Sequence, residues 1–121
     1  MANTFKVVTF AAEPNSAGTA YTMYTVAGST TTVVLGLILT NIHSSAVTAE
    51  VELVSDTSNR AGANNAANGT SFLAKDVNIP AGSSLELLSG GKVVMETTDV
   101  LKIDCSVADK LSGTLSIMEI T

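Results

Sequence analysis

Tryptophan is absent from this chain, cysteine occurs once and proline twice. The lone thiol, Cys105, excludes an internal disulfide, so the fold must rest on its core and not on covalent staples. Basic residues are scarce as well: six Lys and Arg stand against eleven Asp and Glu, for a net charge of −5. They are scattered, whereas nucleic-acid binding draws on clustered Lys and Arg; no nucleic-acid partner is expected. The longest apolar run, Val33 to Leu39, falls far short of the ~20 apolar residues a membrane-spanning helix needs. The opening Met1-Ala2-Asn3-Thr4-Phe5-Lys6 has neither a charged leader nor an apolar core of the secretory kind, so synthesis in a cytoplasm and no membrane partner are expected. Helical spacing is missing too. Nowhere do apolar residues recur at i, i+3, i+4 and i+7 across a window free of Gly and β-branched residues.

What remains is a chain of 121 residues, the size of one domain, with 45% hydrophobic and 4% aromatic residues. Charged residues are only 14%, against roughly 25% in ordinary globular domains. The surface of such a domain has to be built from Ser, Thr, Asn, Ala and exposed aliphatics. Surfaces of that kind are commonly covered by other copies or partners, so an oligomer is expected.

Thr and Val dominate the pattern, and strands follow from it. Strands are expected at Thr4–Phe10, at Ala20–Val26 and, after an Ala27-Gly28-Ser29 turn, at Thr31–Asn41. Period-2 spacing puts Tyr21, Met23 and Thr25 on one face of the second strand, with Thr22, Tyr24 and Val26 on the other. The third is apolar on both faces: Val33, Leu35, Leu37 and Leu39 alternate with Val34, Gly36 and Ile38. A strand apolar on both sides is buried on both, which calls for a subunit or loop over its outer face. His43-Ser44-Ser45 reads as a hairpin turn into Ala46–Ser55, where Val47, Ala49, Val51 and Leu53 point inward and Thr48, Glu50 and Glu52 outward. Asp56–Thr70, rich in Asn, exceeds the usual loop length of about 12–15 residues. Within it Asn68-Gly69 reads as a turn. Five further strands are expected at Ser71–Ile79, Ser84–Ser89, Val93–Thr97, Val100–Val107 and Thr114–Ile120. Short strands at regular spacing indicate one all-β domain, an antiparallel β-sandwich of jelly-roll type.

Chemistry is thin. His43 is the only histidine, and its neighbours Ser44 and Ser45 share a tight turn that does not deliver triad geometry. Cys105 is in phase with Leu101, Ile103 and Val107 and reads as a small core hydrophobe. One His and one Cys do not make a zinc site. Asp99 with Asp104, or Asp56 with loop carbonyls, offers oxygens for calcium, but no Asp-x-Asp-x-Asp-Gly spacing is present and solvated turn carboxylates are the plainer reading. Glu50 and Glu52 lie ~7 Å apart on one strand face, a separation compatible with glycosidases. The sugar-stacking aromatics that normally accompany such a pair are missing. No catalytic residue, metal or cofactor is expected.

Several segments share a further pattern: Tyr24-Thr25-Val26-Ala27-Gly28, the aliphatic strand ending Leu39-Thr40-Asn41, the Val-rich Val47–Val54, Ile79-Pro80-Ala81-Gly82-Ser83-Ser84-Leu85-Glu86-Leu87, Gly91-Lys92-Val93-Val94-Met95, Thr98-Asp99-Val100-Leu101-Lys102-Ile103 and Ser116-Ile117-Met118-Glu119-Ile120. From Tyr21 onward the chain resembles a diffuse family of small β-sandwich virion proteins of tailed bacteriophages. The resemblance implies a non-enzymatic structural role within a virion, a homotrimer or other multimer, and contact with the major capsid protein or other virion proteins. Capsid decoration, or cement, is the expected role. The alternatives are a neck, tail or fibre part, or a module that binds host receptors or glycans. Relatives usually carry a short loop where this chain has Asp56–Thr70, which marks that insert as distinctive. Candidate assembly contacts are Phe5 and Val7 of the first strand, Val33, Leu35, Leu37 and Leu39 of the third, and Arg60, Asn64, Asn65 and Asn68 of the insert.

Overall fold

The computed structural model describes residues 2–55, 69–88 and 90–121. Among them the chain forms β1 (Asn3–Glu13), β2 (Tyr21–Thr25), β3 (Thr31–Asn41), β4 (Val47–Ser55), β5 (Gly69–Ile79), β6 (Ser84–Leu87), β7 (Val93–Met95), β8 (Val100–Cys105) and β9 (Leu111–Ile120). Every pairing is antiparallel. One sheet runs β1-β9-β3-β6, with β7 also on β3; the other runs β2-β8-β4-β5. The pairs β1:β9, β2:β8, β3:β6 and β4:β5 are those of one long hairpin folded back on itself. Rolling it up brings β9 against β3 and β8 against β4, which closes the two sheets. This is the jelly-roll arrangement that the strand cadence leads one to expect.

Between the sheets lies a single core. Val34, Leu37, Leu39, Leu115 and Ile117 from the β1-side sheet meet Ala49, Val51, Leu101, Ile103 and Cys105 from the other. Cys105 is buried and free, as its phase with Leu101 and Ile103 leads one to expect. Phe10 lays its ring where a Cβ on Gly113, its register partner, would stand, and packs edge-on against Tyr21 with centroids 5.3 Å apart. Glycine at 113 is therefore required by close approach.

Two expectations are corrected here. His43-Ser44-Ser45 does not close a hairpin, because β3 and β4 belong to different sheets. Both edges of β3 are already taken, by β9 on one side and by β6 and β7 end to end on the other, so the chain has to cross to the second sheet. Asn41 shapes that crossing. It is fully buried; its amide donates to the carbonyls of Ser45 and Ile79, both at 2.9 Å, and its Oδ1 accepts from the His43 N–H at 2.7 Å.

The second correction concerns facing. A bulge between Val34 and Gly36 switches the phase of β3 in mid-strand. Thr32 and Val34 point into the core before it, and Leu37, Leu39 and Asn41 after it. Val33, Leu35, Leu37 and Leu39 are thus not one stripe: Leu37 and Leu39 are core, while Val33 and Leu35 are partly buried on the other side. In β2 a similar shift between Thr22 and Tyr24 defeats the simple alternation and buries both Met23 and Val26. Gly69 and Thr70 open β5; Asn68 lies outside the described residues.

Candidate assembly surface

The register of the β1-side sheet aligns residues across four strands on its outer face. Phe5 stands opposite Met118, Met118 opposite Val33 and Val33 opposite Val94, giving an apolar row that crosses β1, β9, β3 and β7. A second row runs Val7, Ser116, Gly36, and a third Thr9, Thr114, Ile38, Glu86. Phe5 is 72% exposed, Val7 62%, Val94 59% and Ile38 42%. Leu35, pushed out by the bulge, borders with Gly36, Ile38, Leu87, Thr114 and Ser116 a hollow of about 270 Å³. Among the described strand residues on this face, Glu86 at the margin is the one charged side chain.

Four strands at ~4.8 Å spacing and about 11 residues at ~3.4 Å each span on the order of 700 Å². A stable interface buries roughly 800 Å² per partner, about a tenth of a small protein's surface. The face is thus large enough to be a whole interface, and it is more apolar than a lone domain usually leaves in water.

The opposite outer face has another character. Glu50 pairs in register with Asp104 and Glu52 with Lys102, and Lys75 reaches Glu50 at 2.5 Å while its ammonium sits 4.8 Å from the Phe72 ring centre. The hydrogen bond from Lys75 holds the Glu50 carboxyl below the usual range. Desolvation, followed by its hydrogen bond with Glu50, pushes Glu52 up. The two glutamates do sit together, and Glu50 borders a shallow hollow with Thr48, Asp76, Asp104 and Ser106. Its carboxylate is nonetheless engaged by a lysine in a solvated network, which is what a water-facing sheet looks like. Asp99 immediately precedes β8 and Asp104 lies within it near the far end, so the two are not brought together. Asp99 is buried instead of solvated, accepting from the Glu96 N–H at 3.0 Å and the Ser55 hydroxyl at 3.2 Å. Among the described residues no group of three His, Cys, Asp or Glu could share a metal ion.

At one end of the sandwich a small polar cluster ties the sheets together. The Tyr24 hydroxyl donates to Glu119 at 2.5 Å and lies 2.7 Å from the Thr32 hydroxyl, and Lys6 reaches Glu119 at 2.7 Å. Burial, and then the Glu119 carboxylate, push the Tyr24 phenol up to about 12, from an ordinary value near 10. A phenol whose pKa is raised by folding contributes stability that is fully present below its ordinary pKa and disappears as pH climbs through the folded value. Thermal melts from about pH 9 to 12 should therefore show stability falling between about 10 and 12. Tyr24→Phe should flatten that fall while lowering stability modestly at neutral pH. An unchanged alkaline profile in the variant would remove Tyr24 as its cause.

Of the sequence-derived contacts, Phe5, Val7, Val33 and Leu35 share the outer face, whereas Leu37 and Leu39 point away from it into the core. Arg60, Asn64, Asn65 and Asn68 lie outside the described residues. Sequence reasoning overlooked Met118, Ile38 and Val94. The Met118 signal was available in the alternation of Leu115 and Ile117 with Ser116 and Met118, but one strand does not reveal which rows line up across a sheet. No family model, curated protein or solved structure matches the chain.

Proposed function

We propose that this chain is a non-enzymatic structural protein of a tailed-phage virion, a capsid decoration or cement protein that docks through the outer face of its β1-side sheet. The observation that carries this reading is the apolar row Phe5–Met118–Val33–Val94, set on a face with one marginal charge and sized for a full interface. The contrast between the faces supports a sided protein, one side turned to a partner and the other, with Glu50, Glu52, Lys75 and Lys102, turned to water. The resemblance of the strand-and-turn pattern to small virion sandwiches supplies the setting. The mechanism is passive: burying apolar area between shell and domain supplies association free energy without chemistry.

Mass spectrometry of purified particles from the source virus is expected to find the chain in hundreds of copies per particle. Tens of copies or fewer would move it to the neck, tail or fibre, and its absence from particles would end the virion reading. Purified chain is also expected to rebind particles that lack it. Val33→Glu, on the exposed row, should weaken that rebinding at least tenfold without changing the fold.

A further inference from the structure

The four sheet margins of this sandwich are not alike. The β5 margin is interrupted by register shifts along β4, by the left-handed backbone of Asp76 (φ 50°) and by the charges of Lys75 and Asp76. β2 has five residues and a bulge, while β6 and β7 have four and three. Bulges, charges and short strands are the usual means of keeping a sheet margin from pairing with another chain. β1 has almost none of them. Its one irregularity lies at the far end, between Phe10 and Glu13; from Asn3 to Phe10 the register with β9 is unbroken and Lys6 is the one charge in that stretch.

The hydrogen-bond phase of β1 is fixed by its first pair. Ala2 and Thr121 exchange both main-chain bonds, at 3.1 and 2.9 Å. Bonded and non-bonded pairs alternate along an antiparallel ladder, so Thr4, Lys6 and Val8 also bond to β9. Asn3, Phe5, Val7 and Thr9 direct their N–H and C=O the other way, beyond which no strand lies among the described residues. The same four residues carry the outward side chains of the apolar face.

We infer that β1 pairs antiparallel with β1 of a second copy about a two-fold axis at Val7, joining two β1-side sheets into one. Of the registers that keep like faces together, an axis at Lys6 sets lysine against lysine, which is unfavourable across strands. An axis at Val7 sets Val7 against Val7, Phe5 against Thr9, and Lys6 against Val8. It forms about six main-chain hydrogen bonds, two for each opposed pair among Phe5, Val7 and Thr9. A second copy is the occupant because the strand is its own complement in this register, while among the described residues the other three margins offer no unbroken strand to receive it. Strand addition of this kind takes its affinity from the main chain and its register from side chains. The pairing goes beyond the virion reading and stands independently of where in a particle the chain sits.

Sedimentation of the full chain tests it, with a concentration-dependent dimer expected. Val7→Pro removes an N–H that points away from β9, so the ladder within the subunit survives while the dimer is lost. Val7→Ala keeps that N–H and should keep the dimer. Val7→Cys places two sulfurs on the axis, with Cα atoms ~5.5 Å apart, within disulfide reach. Mild oxidation should then link the dimer covalently, whereas Phe5→Cys and Thr9→Cys should cross-link only when the two variants are mixed. The unsubstituted chain, whose Cys105 is buried, is the blank. A monomer, a trimer, or equal cross-linking at positions 5 and 7 would overturn the inference. A folded Val7→Pro chain that still dimerises would do the same.

Discussion

Asn41→Ala is expected to lower the unfolding free energy by about 3–5 kcal/mol, more than most single substitutions in a domain of this size. The side chain is fully buried and satisfies three main-chain groups at once, the carbonyls of Ser45 and Ile79 and the N–H of His43. Alanine would leave those groups in a dry interior, and an unsatisfied buried group costs ~1–3 kcal/mol. The main chain of Asn41 is fixed as well, giving its carbonyl to the Gly82 N–H and its N–H to the Ser83 carbonyl. The loss thus falls where three segments meet and the chain changes sheets. Asn41→Asp should be no rescue, since it aims a carboxylate oxygen at two carbonyls. Ser44→Ala, in the same crossing but exposed, should change little. Urea titrations of the three variants decide the matter, and an Asn41→Ala cost below about 1 kcal/mol would show that the crossing is held by something else.

Aspartate at two adjacent positions of β3 should give opposite outcomes. Leu37→Asp is expected to abolish cooperative folding. Leu37 is completely buried, and a carboxylate there loses its hydration; the penalty, several kcal/mol after relaxation, approaches the whole stability of a small domain, ~5–15 kcal/mol. Gly36→Asp is expected to leave the fold intact. A Cβ at position 36 meets no atom within 4 Å, and the residue sits outward, beside the hollow on the apolar face. The same variant should lose rebinding to particles, because it puts a charge in the middle of the proposed contact. Circular dichroism and melting temperature report the first effect, particle binding the second. If both variants fold, the bulge does not divide β3 as described; if Gly36→Asp folds and still binds, the apolar face is not the docking face.

That pair also shows why much of the architecture, but not the surface, was legible from residue order. Strand existence follows from local composition, and the ranges of β3 and β4 are recovered to within a residue because Val-, Leu- and Thr-rich runs end at polar punctuation. Cys105 is legible as core because Leu101, Ile103 and Cys105 obey a strict period of two, and all three are buried. The period fails where the main chain inserts an extra residue, at Leu35 in β3 and between Thr22 and Tyr24 in β2, since a bulge leaves no mark in side-chain type. Simple alternation therefore places Leu37 and Leu39 with Val33 and Leu35, whereas the bulge turns them into the core. The misread hairpin at His43 has a different cause. Whether two successive strands pair depends on which distant strands already occupy their margins, and that is decided by β9, some seventy residues further on (Leu111–Ile120). The outer face is harder still to read. Phe5, Met118, Val33 and Val94 come from four strands, and only the register makes them neighbours.

The place of β9 between β1 and β3 also bears on the order of events as the chain emerges from a ribosome. β2, β8, β4 and β5 can complete their sheet once β8 has appeared, but β1 and β3 are not joined until β9, later in the chain than any of these, slots between them. Pairings so distant in sequence belong to the slow end of folding, milliseconds to seconds. Until then the row that joins Phe5 to Val33 has no Met118 to bridge it, and the free margin of β1 has no backing. The outer face of this sheet is therefore assembled only when β9 takes its place. Partly made chains crowded on one messenger therefore expose unpaired margins of β1 and β3, the condition under which incomplete folds associate wrongly.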